Sequence, residues 1–400
     1  MKKLMLSAAA LMCGTMMFAQ FNTSDVDQTG NGNGSSVNQV GFMNDSDVDQ
    51  VGDNNTSSVD QTGLTNESDV IENGDDNTSG VIQLGDTNES TVWQYGDANT
   101  SAVDQDGITN DSFVWQDGDG NTSAVEQDGT SNDSYVDQWG DGSDSDVKQD
   151  GMTNYSNVLQ GYYGSFGDHI STVDQTGTSN TSYVLQDGGL ANDSEVIQSG
   201  DTNSSNVDQY GNVNGSVVWQ FGDANGSTVD QIGDSNDSFV WQDGFANFSD
   251  VDQVGNDNGS YVDQWGISNS SMVEQIGDNN SSSVYQGYIG DFNVSTVSQL
   301  GNDNASYVFQ GGDINISDVD QTGNGNSSDT QQYGTLNDSD VDQIGDDNGS
   351  VVLQDGFEHM SMVMQDGNMN MSDVSQTGNN QMSTVTQLGN GNGSIVSQSN

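Results

Sequence analysis

Two histidines, together with many serines and aspartates, are the side chains that could support acid–base or nucleophilic catalysis in this chain. A Ser-His-Asp arrangement needs an imidazole that is free to contact an exposed hydroxyl. His169 and His359 both stand where neighbouring segments of the sequence have asparagine, at positions that we expect to face inward. We therefore predict that both histidines replace asparagines structurally and that the protein is not an enzyme. A β-helical enzyme that cleaves polysaccharides is the best form of the alternative.

The aspartates suggest a second kind of chemistry, the binding of divalent cations. Asp117, Asp119 and Asn121 imitate the start of a calcium-binding loop, but Thr122 stands where an EF-hand needs glycine. Other aspartates alternate along the chain and would form columns of carboxylates on an outer face, for example Asp25, Asp27, Asp47 and Asp49. We predict no cofactor and interpret the columns as a solvated acidic face. Weak binding of divalent cations, which would screen the repulsion, is the alternative.

All these positions follow from an internal repeat of eleven residues. The unit N-x-S-x-V-x-Q-x-G-x-x begins at Asn22 and occurs 34 times, with its valine replaced once, by Thr330, and its glutamine once, by Glu72. Because the named residues are spaced two apart, each unit predicts a β-strand with one nearly invariant, buried face. Three units supply the predicted structural ladder: Asn110, Ser112, Val114, Gln116, Asn121, Ser123, Val125, Gln127, Asn236, Ser238, Val240 and Gln242.

An all-β, two-sheet β-solenoid is the fold that this repeat predicts. Glycine and asparagine in Q-x-G-x-x-N tolerate the left-handed backbone of a tight turn. Two strands and two turns make a coil of 22 residues, so that 34 units make about 17 coils. Each coil is too thin to bury its own inner face and must stack on the next. Residues 161–168, 188–191 and 287–292 interrupt the spacing and are predicted to bulge as loops.

Trp93 and Trp115 stand between the valine and glutamine positions and are predicted to form an outward stripe. Trp93, Trp115 and Trp139 recur eleven units later as Trp219, Trp241 and Trp265. Because eleven is odd, the second set is predicted to lie on the opposite sheet. Such a stripe can bind sugar rings, pack fibres side by side, or reflect only the preference of strands for aromatic residues.

The ends and the charge of the chain indicate export. Lys2, Lys3, an apolar stretch and Ala19 predict a cleaved signal peptide over residues 1–19, followed by the repeat solenoid over residues 20–400. The whole chain has a formal net charge of −58, and Lys148 is the single basic residue after the signal. This composition excludes binding to nucleic acid phosphates. No later segment is apolar enough to span a membrane, so we expect a secreted, extracellular protein.

The spacing Gln116-x4-Asn121-x5-Gln127, preceded by Ser112, resembles the repeat of curlin, the subunit of bacterial curli fibres, with Ser123 where curlin has alanine. The resemblance covers residues 22–400. It implies a secreted amyloid subunit of a fimbrium-like surface fibre that serves biofilm formation and adhesion. Its partners would be further copies of itself, added head to tail, together with a nucleator subunit and an export channel. The alternative is a monomeric acidic β-solenoid exoprotein that acts as an adhesin or binds cations.

Overall fold

The repeat folds into two parallel β-sheets that form a β-solenoid. The computed structural model describes residues 21–161, 167–287 and 290–400, so the signal peptide predicted over residues 1–19 lies outside the described residues. Within those ranges the chain forms 34 strands and no helix. Each of the 34 sequence units therefore supplies one strand, as the spacing of two residues predicts.

The odd-numbered strands form the first sheet: β1 (Thr23–Thr29), β3 (Asp45–Val51), β5 (Glu67–Asn73), β7 (Glu89–Tyr95), β9 (Asp111–Asp117), β11 (Asp133–Trp139), β13 (Tyr155–Gln160), β15 (Thr181–Asp187), β17 (Ser204–Tyr210), β19 (Gly226–Ile232), β21 (Phe248–Val254), β23 (Ser270–Ile276), β25 (Val294–Leu300), β27 (Ile316–Thr322), β29 (Asp338–Ile344), β31 (Met360–Asp366) and β33 (Met382–Leu388).

The even-numbered strands form the second sheet: β2 (Gly34–Phe42), β4 (Thr56–Leu64), β6 (Thr78–Asp86), β8 (Thr100–Ile108), β10 (Thr122–Thr130), β12 (Asp144–Met152), β14 (Ile170–Thr178), β16 (Asp193–Asp201), β18 (Gly215–Asp223), β20 (Asp237–Phe245), β22 (Gly259–Ile267), β24 (Ser281–Gln286), β26 (Ala305–Gly311), β28 (Ser327–Thr335), β30 (Gly349–Phe357), β32 (Met371–Asn379) and β34 (Gly393–Ser399).

Each strand pairs in parallel with the strand two further along the chain, and identical slots of the repeat lie side by side. In the pair β7–β9, for example, Val92 lies beside Val114 and Gln94 lies beside Gln116. The usual offset is 22 residues. The inserted loops lengthen the offset without disturbing the register: Gln149 still pairs with its counterpart 26 residues later. Residues 162–166 and 288–289 of two of these loops lie outside the described residues.

Valine side chains from both sheets make one continuous apolar core. Val114 and Val240 are completely buried, and each such side chain contributes about 1.5–3 kcal/mol through removal from water. Because every coil contacts only its two neighbours, the core is a column and not a globule.

The turns need left-handed backbone at two positions, and one of them differs from the prediction. Gly118 has φ 134°, and a Cβ atom there would collide with the carbonyl oxygen of Gly140 in the next coil. The second left-handed residue is not the asparagine of the repeat but the residue directly before it, such as Thr109 with φ 57°. A non-glycine residue in this conformation costs roughly 1–2 kcal/mol. The N–H of Thr109 compensates by donating to the carbonyl oxygen of Asp86 at 3.0 Å.

Candidate functional site

Glutamine side chains form a hydrogen-bonded ladder along each sheet. Gln94 Nε2 donates to Gln116 Oε1 at 2.9 Å, and Gln116 Nε2 donates to Gln138 Oε1 at 2.9 Å. Gln116 Nε2 also donates to the carbonyl oxygen of Thr100 at 3.0 Å, at the start of β8 in the opposite sheet. Both donors of the buried amide are therefore used. The ladder thus links successive coils and also ties the two sheets together.

The other two glutamines selected from the sequence make the same pair of bonds. Gln127 Nε2 donates to Gln149 Oε1 at 2.9 Å, and Gln242 Nε2 donates to Gln264 Oε1 at 2.8 Å. All twelve selected side chains, from Asn110 to Gln242, are buried.

The asparagine ladder joins side chains mainly to the backbone. The backbone N–H of Asn121 donates to Asn99 Oδ1 at 2.9 Å, and the Nδ2 atom of Asn121 donates to the carbonyl oxygen of a turn glycine. Asn110 bonds in the same way. Asn236 adds a direct amide bond, from its Nδ2 to Asn214 Oδ1 at 3.2 Å. The asparagines therefore hydrogen-bond each turn to the coils on either side of it.

The serines form a column of buried side chains, and most of their hydroxyls make no hydrogen bond within the described residues, although Ser383 Oγ donates to Ser361 Oγ at 3.4 Å. The Oγ atoms of Ser112, Ser123 and Ser238 have no partner in the part of the chain that the structure describes. The reason is geometric. A hydroxyl is a single polar atom, so across coils about 4.8 Å apart it reaches its equivalent only when it leans toward that coil, whereas an amide offers its acceptor and its donor on separate atoms.

A further ladder runs along the turns of the first sheet, and the sequence reasoning missed it. The backbone N–H of Asp97 donates to Asp119 Oδ1 at 2.8 Å, and that of Asp119 donates to Asp141 Oδ1 at 2.9 Å. The same bonds continue through most later coils, with Asp and Asn interchanging. The signal was present in the sequence: the residue after glycine is Asp or Asn in nearly every odd unit, a period of 22 and not of eleven. Asp119, which imitates a calcium ligand, is thus a hydrogen-bond acceptor of a turn.

Both histidines occupy the asparagine slot and reproduce its bonds. His169 Nδ1 accepts the N–H of Asn192 at 3.3 Å. His359 Nδ1 accepts the N–H of Gln381 at 3.3 Å, while its Nε2 lies 3.3 Å from the carbonyl oxygen of Asp355. These contacts fit a neutral imidazole with its proton on Nε2, and burial lowers the pKa of His169, which favours that form. The two rings are completely buried.

The outward aspartates stand in register, as the column model requires. Asp25 lies beside Asp47, and Asp27 lies beside Asp49. The pKa of Asp47 is raised by partial burial and by the charges of Asp49 and Asp25. Across the described ranges, no group of three or more His, Cys, Asp or Glu side chains is placed to hold a metal ion.

Three aspartates on the outer faces of the sheets have strongly raised pKa values. The pKa of Asp340 is raised to about 6 by desolvation and then by the charges of Asp342 and Asp318. Desolvation and neighbouring carboxylates also raise the pKa of Asp230 to about 6, and desolvation raises that of Asp137 to about 6. The fold therefore holds like charges closer together than they would lie in an unfolded chain.

The tryptophan stripes form two clusters on opposite sheets, which confirms the predicted placement. The first set lies on β7, β9 and β11, and the second lies on β18, β20 and β22. The rings of Trp115 and Trp139 stack with centroids 6.3 Å apart, and those of Trp241 and Trp265 stack at 6.4 Å. The flanking acids are duplicated too, because Trp93 donates to an Asp69 oxygen and Trp219 to a Glu195 oxygen.

The outermost described coils leave their ladder positions open. Val26 in β1 is 39% exposed, whereas Val48 in the next coil is completely buried. Gln28 Nε2 donates inward to the second coil. At the other end Gln387 and Gln398 accept from the preceding coil, and their Nε2 atoms bond only to carbonyl oxygens of the opposite sheet.

Comparison with known proteins identifies the repeat. Residues 74–107, 118–151 and 345–378 each match the family model of the curlin associated repeat. A search of curated proteins finds no match. In the described part of the chain there is no helix long and apolar enough to cross a membrane.

Proposed function

We propose that this protein, a member of the curlin repeat family, is the structural subunit of a secreted, curli-like fibre that grows by adding copies head to tail. The observation that carries the proposal is the set of open ladders at the two outermost coils. A parallel strand with unpaired N–H and C=O groups is a template for another strand.

The ladders give the two ends complementary chemistry. Each ladder bond between two glutamines runs from Nε2 of one coil to Oε1 of the coil that follows in the chain. The first coil therefore presents the Oε1 acceptors of Gln28 and Gln39, and the last coil presents the Nε2 donors of Gln387 and Gln398. A second copy placed after β34 would satisfy both sets at once.

The equal number of strands in the two sheets also favours head-to-tail contact. The described solenoid has 17 strands in each sheet, a whole number of coils. In an added copy β1 would stack on β33 and β2 on β34, so that each sheet would continue into the same sheet of the next copy. Such a contact does not close on itself and so produces a filament.

The proposal includes extracellular export, biofilm formation and adhesion, because the curlin repeat suggests these roles. A nucleator subunit and an export channel would be its further partners. The aromatic clusters support side-by-side packing of fibres better than sugar binding, because the ring faces already contact one another and sugar stacking needs a free face. Two clusters on opposite sheets would let one filament contact neighbours on both sides.

The second candidate is a monomeric acidic exoprotein, an adhesin or a cation-binding surface protein. The formal charge of −58 favours it, because each added copy brings more like charge to the stack. Weak binding of divalent cations along the Asp columns is the cofactor role that this alternative would add.

Seeded growth separates the two functions. A double variant, Ser394→Lys with Val396→Pro, places a charge and a missing N–H on the last strand. We expect preformed fragments to abolish the lag of the wild-type chain, whereas the double variant folds but does not elongate. Ile395→Lys is the matched control, because Ile395 is 83% exposed and should grow like the wild type. A folded wild-type chain that stays monomeric at high concentration in salt would favour the exoprotein.

A further inference from the structure

One step of the glutamine ladder is chemically different from all the others. Glu72 on β5 occupies a glutamine slot and is completely buried. In register it lies between Gln50 on β3 and Gln94 on β7. Gln50 Nε2 donates to Glu72 Oε2 at 2.7 Å, so the bond from the preceding coil is present.

The bond from residue 72 to the following coil is missing. A glutamine would donate from its amide to the next Oε1 atom, but a carboxylate has no hydrogen to donate. Glu72 Oε1 and Gln94 Oε1 are both buried without a hydrogen-bond partner in the described structure. Gln94 is intact on its other side, since its Nε2 donates to Gln116 Oε1 and to the carbonyl oxygen of Thr78. The defect is therefore confined to two acceptors in register with each other.

We propose that Glu72 is a neutral carboxylic acid in the folded protein and donates its proton to Gln94 Oε1, so that this step of the ladder closes only while the carboxyl is protonated. One proton on Glu72 replaces the missing amide hydrogen and satisfies both acceptors. When it is lost, a buried carboxylate lies beside a carbonyl oxygen. The joint between β5 and β7 then lacks its glutamine ladder bond, and it responds to pH.

The surroundings of the carboxyl favour the neutral form. Burial raises the pKa of Glu72 above its ordinary value of 4.5, while the bond from Gln50 lowers it by less. The side chains that face it from β3, β4, β6 and β7 belong to the Asn, Ser, Val and Gln slots, and none of them carries a charge. The other carboxylates of strands β3 to β7 point outward: Asp45, Asp47, Asp49, Asp60, Glu67, Asp69, Asp86 and Glu89. Within the described residues the one lysine, Lys148, pairs with Glu126 and not with Glu72.

The direction of the pH response follows from the raised pKa of Glu72. A group whose pKa is higher in the folded than in the unfolded state stabilises the fold fully below its unfolded pKa. That contribution is lost as the pH rises through the folded pKa. The joint should therefore be closed in mildly acidic medium and loosen in alkaline medium, whether or not the protein polymerises.

Carbon-13 NMR of the labelled side-chain carboxyls tests the protonation. The chain has seven glutamates, so the full protein labelled at glutamate Cδ gives a tractable spectrum from pH 4 to 9. We expect one carboxyl to titrate at a higher pH than the others, to be absent from Glu72→Gln and to persist in Glu274→Gln, whose replaced carboxyl is exposed. Seven carboxyls that titrate together, or a late one that survives Glu72→Gln, would overturn the proposal.

Hydrogen exchange, expressed as protection factors, tests the joint itself. Between the acidic and the alkaline end of that titration, we expect protection in β5 and β7 of the wild type to fall about tenfold, the usual effect of leaving a buried polar group unpaired. In Glu72→Gln it should stay constant, and β15 serves as the distant reference. An equal fall in Glu72→Gln, or no fall in the wild type once the carboxyl has ionised, would refute the pH-sensitive joint.

Discussion

Replacing one core valine by aspartate tests the division of each strand into inward and outward faces. Val240 on β20 is completely buried and lies between Val218 and Val262 of the adjacent coils. In Val240→Asp a carboxyl enters a column that has no partner for it. The matched control is Phe239→Asp, which introduces the same side chain one residue earlier, on the outer face.

The expected cost of Val240→Asp has two parts. Losing the valine removes about 1.5–3 kcal/mol of apolar burial. An ionised carboxyl cannot be accommodated there without a cost of several kcal/mol. The group will instead take up a proton, which at pH 7 costs roughly 4 kcal/mol for an ordinary pKa of 3.9. Together these parts amount to about 6 kcal/mol, enough to open the coils locally.

The control is not free of cost, because Phe239 packs against other rings. Its ring stacks on Tyr261 with centroids 5.1 Å apart and meets Trp219 edge to face at 5.5 Å. Aromatic pairs of this kind contribute about 0.5–1.5 kcal/mol each. We therefore expect Phe239→Asp to lose about 1–3 kcal/mol, well below the loss in Val240→Asp.

Hydrogen exchange read by mass spectrometry, with circular dichroism for total β-structure, compares the two variants. Because the coils contact only their neighbours, protection in Val240→Asp should be lost in β18, β20 and β22 and kept in β6 and β34. Phe239→Asp should keep most of its protection everywhere. Equal loss in the two variants, or loss that is greater in Phe239→Asp, would refute the face assignment.

Two further predictions concern charge. Asp230→Asn should stabilise the protein at pH 7.5 by about 1 kcal/mol, because a rise in pKa from 3.8 to about 6 corresponds to about 3 kcal/mol before solvent screening of this half-exposed group. Since a raised pKa contributes stability that is lost as the pH rises through about 6, the wild type should gain stability on acidification from pH 7.5 to 5, measured by urea unfolding, and the variant should gain less. Salt should promote folding and assembly by screening the Asp columns within about 8 Å at physiological strength, and calcium should act at a lower concentration than sodium. Light scattering that is indifferent to both ions from pH 6 to 8 would contradict this expectation.

The sequence predicts the fold well because the repeat carries its geometry in the spacing. Residues two apart must share one strand face, so the burial of Val114, Gln116 and their equivalents followed from periodicity alone. The remaining features depend on distances that the spacing does not give. The unbonded hydroxyl of Ser112 depends on the coil spacing, and the left-handed Thr109 depends on the path of the turn. The turn ladder through Asp119 can be recognised only from a pattern that recurs every 22 residues. The stronger repeat of eleven residues draws attention away from that pattern.

The ladders also explain why growth by this architecture should have one direction. In the core, glutamine amides donate toward the coil that follows in the chain, while the N–H of Asn121 donates toward the coil that precedes it. Each end of the stack thus presents its own mixture of donors and acceptors, which only the opposite end completes. Two copies meeting by their first coils would place the acceptors of Gln28 and Gln39 against acceptors, and two copies meeting by their last coils would place the donors of Gln387 and Gln398 against donors. Neither contact can form the glutamine ladder bonds. If copies assemble as proposed, the side-chain chemistry therefore favours head-to-tail addition.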